Sequence, residues 1–380
     1  MNFKLKRNKL YNICLFSWIL ISILFGRTTL NATLGEIGTY IYSFGRLLIY
    51  LLLCLLILWG GLSRKKTIII VITLIFLFIS VNASGELVLI GIVLFVAASN
   101  KIDTKEIILI YLKAHILVTL LALIFALINF TDINIMHRGI IQRNSFGFSH
   151  PNGFGSEILT IMICYVSYRW NKIKSLELFI CEIIGVLVLY PADCRMATAV
   201  LSFFIIITFI VKTFISYKIN LKVIWNISLF MFITIILFTI YVSIFFSKEN
   251  FLLNTLDYIL SFRFSAIDAI YQIQGITLLG QKVLNTNLVG IDNSYARILL
   301  INGLIPFIIL VIFCINIQYQ FYKHKDIKML LAFMAISLSG FIENNFFRIE
   351  NNFCFLVGGS YLLSIYYINK GQKIYDKNIN

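Results

Sequence analysis

Long apolar runs separated by short polar segments recur along this chain, and they constrain its fold more than any other feature. A helix crosses the hydrocarbon of a bilayer with about 20 mostly apolar residues, within a range of roughly 17 to 25. Only 13% of the residues are charged, which is about half the share in a soluble domain. The sequence therefore predicts a single polytopic, all-α membrane domain over residues 1–380 that crosses the lipid bilayer about twelve times.

The limits of the predicted spans follow from the apolar runs. They lie near 10–26, 38–60, 67–82, 86–99, 106–130, 154–169, 176–191, 196–216, 223–247, 295–317, 328–343 and 353–369. The third and fourth spans are short and only Asn82-Ala-Ser-Gly-Glu86 separates them, so they could instead form a re-entrant hairpin. That alternative leaves the orientation of the other helices unchanged.

The positions of the basic residues predict this orientation. A net charge of +15 could suggest a nucleic-acid partner, but the lysines and arginines lie in short clusters between apolar runs. With the N-terminus in the cytoplasm, 21 of the 32 basic residues fall in inner segments, which is the positive-inside pattern. We therefore predict a multi-pass protein of the cytoplasmic membrane, with both termini in the cytoplasm and no nucleic-acid partner.

Two segments on the predicted outer side are long, at about 131–153 and 248–294. The second begins with a helical amphipathic pattern. Its apolar face would hold Leu252, Leu256, Ile259 and Leu260, and its polar face Asn254, Asp257, Ser261, Ser265 and Asp268. Such a helix could lie along the membrane surface and direct Arg263 to the lipid headgroups. It could equally be a cap that packs on the helix bundle.

Arginine dominates the outer segments, whereas lysine dominates the inner ones. Seven of the nine outer basic residues are arginines, namely Arg27, Arg138, Arg143, Arg195, Arg263, Arg297 and Arg348. The planar guanidinium can hold phosphate through two parallel hydrogen bonds, so the cluster favours a phosphate ligand. The alternative is that these arginines pair with the outer acids and only hold loops together. Those acids are Asp193, Asp292, Glu343 and Glu350.

The densest local motif runs from Arg143 to Gly155. His150-Pro-Asn152 predicts a turn because proline disfavours helix before it and fixes its own φ. Gly153 and Gly155 would allow close backbone approach as the next span begins. The imidazole of His150 could accept a proton from an attacking hydroxyl, or it could simply pack where the helix starts.

Other ionisable residues mark further outer helix ends and the spans themselves. Asp193-Cys194-Arg195, Asp292-Asn-Ser-Tyr295 with Arg297, and Glu343-Asn-Asn-Phe-Phe-Arg348 each place an acid near an arginine. The spans hold Arg46, Lys113, His115, Glu157 and Glu182, and charge inside a membrane indicates function by default. Glu157 could join the outer site. His115 and Glu182 could instead form the proton relay of a transporter.

Taken together, these residues resemble the Wzy-type polysaccharide polymerases, in the superfamily that includes the O-antigen ligases. The resemblance rests on Arg143, Phe146-Gly-Phe-Ser-His-Pro-Asn152, Arg195, Arg263, Gly280 and Asp292-Asn-Ser-Tyr295. The chain departs from the family pattern in two places. Cys194-Arg195-Met196 stands where Ser-Arg-Thr is usual, and Gly280-Gln281 stands where a glycine pair is usual.

The resemblance implies a GT-C-like, metal-independent glycosyltransferase without a cofactor. It would join oligosaccharide repeat units carried on undecaprenyl diphosphate, at the outer face of the cytoplasmic membrane. A flippase and a chain-length regulator would be its protein partners. A ligase of the same superfamily, a flippase or other transporter, and a membrane protein without chemistry are the alternatives.

Within this hypothesis each selected residue has a role. The catalytic set is His150, Arg195 and Glu343, with His150 or Glu343 accepting the proton of the acceptor hydroxyl. The substrate-binding set is Arg143, Asn152, Arg263, Asp292, Asn293, Tyr295 and Arg348. Arg143, Arg195 and Arg263 would hold the diphosphate because its negative charge grows as the glycosidic bond breaks, while Asn152 and Asp292 would orient sugar hydroxyls.

Overall fold

The fold comes from a computed structural model that describes residues 3–215, 220–282 and 290–375, with side chains for 6–213, 220–282 and 290–364. Residues 283–289 of the predicted outer segment 248–294 lie outside these ranges. So do Lys218 and Lys377 of the predicted inner charges, and the side chains of Lys370 and Lys373.

Most of the described chain is helical. The first helices are α1 (Phe3–Gly26), α2 (Leu30–Leu34), α3 (Glu36–Trp59), α4 (Arg64–Ser84), α5 (Val88–Ala98), α6 (Thr104–Leu127), α7 (Pro151–Arg169) and α8 (Ser175–Leu189). The later ones are α9 (Arg195–Ile215), α10 (Leu221–Phe245), α11 (Phe251–Ile259), α12 (Arg263–Gln274), α13 (Ser294–Arg297), α14 (Leu304–Lys323), α15 (Ile327–Ile342) and α16 (Phe353–Tyr375). A π-helical turn, Ile298–Asn302, precedes α14.

Eight helices in the described ranges are long and apolar enough to cross a membrane. They are α1, α3, α4, α6, α9, α10, α14, and α8 together with the 3-10 turn that continues it to Ala192. This result confirms a multi-pass, mainly α-helical membrane protein. The apolar helices α5 and α15 and the apolar part of α16, Phe353–Ser364, are shorter, and α7 has 19 residues. Each of the twelve predicted spans overlaps a helix, but the count of twelve crossings stays a prediction.

The helices pack with their ends on two opposite sides of the bundle. At one end the Arg7 side chain donates to the carbonyl oxygens of Asn100 at 2.7 Å and Ala98 at 2.8 Å. At the same end Lys212 donates to the Trp170 carbonyl oxygen at 2.6 Å. We call this the lysine end. The opposite end holds the last residues of α1, α6 and α15 and the first residues of α7 and α9, and we call it the site end.

The helices differ in how deeply they are packed. Half of the spanning window of α6 is buried (50%), compared with 17% for α3 and 22% for α4. Most of the apolar surface of α3 and α4 is therefore exposed on the outside of the bundle. Because large apolar faces rarely contact water in proteins, these faces are suited to contact with lipid. The core therefore lies around α6 and its neighbours α1 and α7, which lead directly to the site end.

The segment 131–153 contains an antiparallel hairpin of β1 (Ile135–Arg138) and β2 (Ile141–Asn144). Arg138 faces Ile141 across the turn, and Gly139 in that turn has a φ of 61°, a conformation in which glycine avoids the steric cost of a side chain. The all-α prediction therefore needs one small correction, since these two short strands interrupt it at the site end.

The predicted amphipathic helix of the segment 248–294 is broken. Ser261 and Phe262 have positive φ values of 60° and 61°, so α11 ends before Arg263 and a second helix, α12, starts there. Leu252 and Ile259 are 72% and 65% exposed, whereas Asp257 is only 1% exposed. Asp257 of the predicted polar face therefore packs inward, whereas Asn254 and Ser261 of that face stay exposed. The Asp257 carboxylate accepts hydrogen bonds from the backbone N–H groups of Phe264 at 2.7 Å and Ser265 at 3.2 Å.

The side chain of Arg263 also turns inward, contrary to the expectation that it points to the headgroups. It is 12% exposed and contacts Asp292 and Glu343. The positive-φ turn at Ser261–Phe262 changes the chain direction just before Arg263, which is why a continuous helical wheel placed this residue wrongly.

Candidate functional site

The hairpin brings two arginines to the turn between α8 and α9. Arg143 lies opposite Met136 in the ladder, so Arg138 and Arg143 lie on the same face of the hairpin, one diagonal step apart. The Arg143 Nε donates to the Ala192 carbonyl oxygen at 3.1 Å. Arg138 Nη1 lies 3.0 Å from Asp193 Oδ2. Asp193 also binds Arg195, with its Oδ1 3.0 Å from Arg195 Nε, and so it links two arginines.

The His150-Pro-Asn152 motif starts α7, as the sequence predicts. Pro151 occupies the first turn, where its missing N–H is harmless, and the Asn152 backbone N–H donates to His150 Nδ1 at 3.0 Å. Gly155, in the next turn, allows α9 to approach: a Cβ there would lie 2.8 Å from Cys194 Sγ. The expected close approach at this glycine is confirmed, and it seats Cys194 and Arg195 against α7.

The hydrogen bond at His150 determines which of its ring nitrogens carries the proton. A nitrogen that accepts from a backbone N–H has no proton of its own, so the neutral ring carries its proton on Nε2. Burial, together with the positive charge of Arg143, lowers the pKa of His150 below its ordinary value. Neutral His150 therefore offers an N–H donor through Nε2 and, in this arrangement, has no free lone pair to accept a proton.

Glu343 is the residue on which the other groups converge. Its Oε1 accepts from Asn152 Nδ2 at 2.8 Å and from Arg263 Nη2 at 2.7 Å. Asn152 Oδ1 in turn accepts from Arg143 Nη2 at 2.6 Å. Burial raises the pKa of Glu343 to about 7, although the positive charge of Arg263 acts against this rise. A carboxyl group with this pKa can exchange a proton near neutral pH.

The four residues of Asp292-Asn-Ser-Tyr295 make different contacts. Asp292 Oδ2 contacts Arg263 Nε at 3.3 Å and its side chain is 48% exposed. Asn293 caps α13, and the Ser294 hydroxyl donates to the Glu343 carbonyl oxygen at 2.7 Å. Tyr295 is fully buried and donates to the Ser337 carbonyl oxygen at 2.9 Å. The structure thus brings Asp292 to the site, whereas Asn293 and Tyr295 support it from the core and do not face a ligand.

Glu343 and Asn152 stand between two open spaces. The first, which we call the arginine cleft, also holds Arg138, Arg195 and Arg263. Its floor consists of apolar side chains of α7, α9 and α15, namely Leu159, Met196, Val200 and Ile342. The cleft is narrow, with a volume of about 40 Å³. Arg195, whose side chain is 60% exposed, also lines an open groove of about 430 Å³ with Ile141, Leu189 and Tyr190.

The second space, which we call the histidine cavity, has a volume of about 290 Å³. Its lining includes Arg27, His150, Asp292, Asn345 and Arg348 in addition to Asn152 and Glu343. All of its other lining residues are serine, asparagine or glycine. The side chains that line the histidine cavity are therefore mainly polar, whereas the arginine cleft also has large apolar ones.

Charged residues in the protein interior hold the arginines of the histidine cavity. Arg27 Nη1 lies 3.6 Å from Glu157 Oε1, and the other oxygen of Glu157 contacts His115 Nδ1 at 2.6 Å. Both Glu157 and His115 are fully buried. Arg348 Nη1 lies 3.7 Å from Glu350 Oε1.

Arg27 and Arg138 belong to this end of the molecule although neither was selected from the sequence as a site residue. Arginine enrichment in the predicted outer segments is the signal that could have found them. Glu157, which the sequence offered as a possible member of the site, lies directly behind it. His115 and Glu182, which the sequence offered as an alternative proton relay, have different partners: His115 binds Glu157, while Glu182 binds Ser202.

Most of the seven predicted outer arginines lie beside an acid, which is what the loop-holding alternative requires. The exception is Arg143, which binds a carbonyl oxygen and the amide of Asn152. Arg297 is bound to Glu86 and lines neither space.

The described residues include no group of three or more His, Cys, Asp or Glu side chains that could hold a metal ion. No protein-family model, curated protein or solved structure matches this chain.

Proposed function

We propose that this protein is a polysaccharide polymerase that joins oligosaccharide repeat units carried on undecaprenyl diphosphate, at the outer face of the cytoplasmic membrane. In this proposal the site end faces outward and the arginine cleft binds the lipid diphosphate of the growing chain. The histidine cavity binds the sugar of the incoming repeat unit. Glu343 and Asn152 stand where the two substrates meet.

The observation that best supports this assignment is that Glu343 lines two spaces that differ in their side chains. The arginine cleft combines guanidinium groups with an apolar floor along three helices, as a diphosphate attached to a hydrocarbon chain requires. The apolar groove beside Arg195 supplies more room on the same side. The side chains that line the histidine cavity are mostly polar, which suits the hydroxyls of a sugar.

The reaction needs three events at this boundary. An acceptor hydroxyl oxygen attacks the anomeric carbon of the growing chain and forms the new glycosidic bond. The bond from that carbon to the diphosphate oxygen breaks, and the undecaprenyl diphosphate leaves with the electron pair. The hydroxyl proton goes to Glu343. Arg138, Arg195 and Arg263 would stabilise the leaving diphosphate because its negative charge increases in the transition state.

Of the two proton acceptors expected from the sequence, Glu343 is the better supported. Its pKa of about 7 lies near the operating pH, where a general base is most effective. The lone pair of His150 Nδ1 is used by the Asn152 N–H. We therefore assign His150 the role of donor, through Nε2–H, to a substrate oxygen in the histidine cavity.

The test is a gel of cell-surface polysaccharide from cells that lack the protein and express wild type, Arg195→Lys or Arg195→Ala. We expect wild type to restore long chains and both variants to leave a single lipid-linked repeat unit. Arg64→Lys is the matched control, because Arg64 is exposed at the lysine end, and it should restore full-length polymer. Immunoblots of membranes would show equal amounts of all four proteins.

The same gel separates the alternatives. Long polymer from Arg195→Lys would remove Arg195 from the site. If cells without the protein hold full-length polymer on its lipid carrier, the protein is a ligase. If they hold repeat units trapped inside the cell, the protein is a transporter.

A further inference from the structure

Two arginines that line the histidine cavity have only long contacts to acids. Arg27 Nη1 is 3.6 Å from Glu157 Oε1, and Arg348 Nη1 is 3.7 Å from Glu350 Oε1. Both separations exceed the length of a charge-assisted hydrogen bond, which is about 2.7–2.9 Å. By contrast, Arg263 in the arginine cleft reaches Glu343 at 2.7 Å. The guanidinium groups of the histidine cavity are therefore only partly compensated.

Buried polar atoms around this cavity also lack hydrogen-bond partners among the described residues. They include Arg348 Nε, Asn345 Oδ1 and Glu157 Oε1. A buried polar group without a hydrogen bond destabilises the fold. Asn345 lines the cavity directly and is 5% exposed. A ligand with both acidic and hydroxyl groups would match these donors and acceptors.

The acids behind the two arginines are themselves held in place. Glu157 binds His115 at 2.6 Å, and Glu350 Oε2 accepts from Trp18 Nε1 at 3.3 Å. These partners fix the carboxylates in the interior, so they cannot easily move forward to neutralise the arginines. Burial lowers the pKa of Arg27, and the positive charge of Arg348 adds to this effect. An additional negative charge in the cavity would relieve the repulsion between the two guanidinium groups.

We propose that the histidine cavity recognises an acidic sugar, and that Arg27 and Arg348 hold its carboxylate. The Nε2–H of His150 and the amide of Asn345 would bind its hydroxyl groups. Asp292 and Glu343 also line the cavity, and their negative charge opposes a doubly charged group such as phosphate more than a single carboxylate. This proposal rests on the proposed function for the idea that the sugar belongs to the incoming repeat unit.

Binding of single sugars to the purified protein in detergent tests the proposal without requiring turnover. The probes are glucuronate, glucose and glucose 6-phosphate, and the readout is the sugar concentration that gives half of the maximal rise in unfolding temperature. For wild type we expect glucuronate to act at a concentration at least ten times lower than glucose. Arg348→Gln should weaken glucuronate about tenfold and leave glucose unchanged, because only the carboxylate contact is lost.

Three further variants show which arginines bind the carboxylate of glucuronate. Arg348→Lys keeps the positive charge but lacks the two parallel N–H donors of the guanidinium. Its affinity for glucuronate should lie between those of wild type and Arg348→Gln, which would show that the loss in Arg348→Gln does not come from misfolding. Arg195→Gln alters the arginine cleft and should leave glucuronate binding within twofold of wild type, as should Arg64→Gln at the lysine end. Loss of glucuronate binding in Arg195→Gln would show that the carboxylate binds in the arginine cleft, and this result would overturn the proposal.

Two other outcomes would also overturn it. Equal affinity for glucose and glucuronate would show that no carboxylate is recognised. Tighter binding of glucose 6-phosphate than of glucuronate would assign the site to a phosphate-bearing group. If glucuronate binds as expected but the gel shows a ligase or a transporter, the acidic-sugar site stands and the polymerase proposal fails.

Discussion

The arginine cleft and the histidine cavity share one wall, which includes Asn152 and Glu343, yet they differ in size and in the side chains that line them. The cleft is narrow, has an apolar floor and holds arginines that lie within hydrogen-bond distance of acids. The cavity is wider, is lined mainly by polar side chains, and holds arginines with only long contacts to acids. The difference teaches that arginine enrichment alone does not define a phosphate site, because the surroundings decide what each guanidinium can bind.

The shared wall should be more sensitive to substitution than either space. Replacing Glu343 with Gln keeps its size but removes the proton acceptor, so we expect chain growth to fall by about 10²–10⁴-fold. Glucuronate affinity should change less than threefold, because Arg27 and Arg348 remain. The measurements are polymer formed from lipid-linked repeat units by the purified protein, and the thermal shift described above. Glu177→Gln, at the lysine end, is the control; normal chain growth in Glu343→Gln would assign the proton elsewhere.

Replacing Arg263, which binds Glu343 from the side of the arginine cleft, should cause the next largest loss of chain growth. Arg263→Gln takes one guanidinium from the leaving diphosphate, and a loss of about 10²–10³-fold is typical for such a group. In wild type the rate should rise with pH through about 7 as Glu343 ionises. Since Arg263 lowers the pKa of Glu343, the variant's rate should rise at a higher pH. A pH–rate profile with an unchanged midpoint would contradict this link.

A subtler change tests the amide in the wall. Asn152→Asp replaces the N–H that binds Glu343 with a second carboxylate, and the like charge should raise the pKa of Glu343 further. If the midpoint of the pH–rate profile rises by about one unit, the rate at pH 7 falls by up to about tenfold. Activity should recover at alkaline pH, which distinguishes this effect from a folding defect. A rate that stays low at every pH would indicate lost geometry instead.

The smallest expected effect concerns the helix start on the cavity side. His150→Asn keeps a side-chain acceptor for the Asn152 N–H, whereas His150→Ala removes it at a cost of about 1 kcal/mol. We therefore expect the unfolding temperature of the Asn variant to stay close to wild type and that of the Ala variant to fall. Both should lose the Nε2–H donor, and so both should bind glucuronate and glucose more weakly. Equal unfolding temperatures would show that the cap contributes little.

Much of this arrangement could be predicted from local sequence. Apolar runs locate the helices, and His150-Pro-Asn152 predicts the start of α7 because proline and the capping side chain act within a few residues. Most arginines of the predicted outer segments lie together at the site end. These signals are local or compositional, so they do not depend on how distant segments pack.

What the sequence could not predict are the contacts between distant segments. The local pair of Asp193 and Arg195 forms as proximity in the chain suggests, whereas Glu343 pairs with the distant Arg263 instead of Arg348. Tyr295 was expected to contact the substrate, yet its ring packs against Phe346 and Phe347. Only the positions of the surrounding helices decide whether a polar aromatic residue at a helix start faces a ligand or the core.

The contacts of Glu343 have a consequence for the synthesis of the protein. Its two hydrogen-bond partners, Asn152 and Arg263, lie 191 and 80 residues earlier in the chain. During synthesis, Arg27, Arg143 and Arg195 therefore emerge long before Glu343. Products truncated before α15 would have these arginines but not the carboxylate. Under the proposed function, in which Glu343 accepts the proton, the protein would stay inactive until translation is nearly finished.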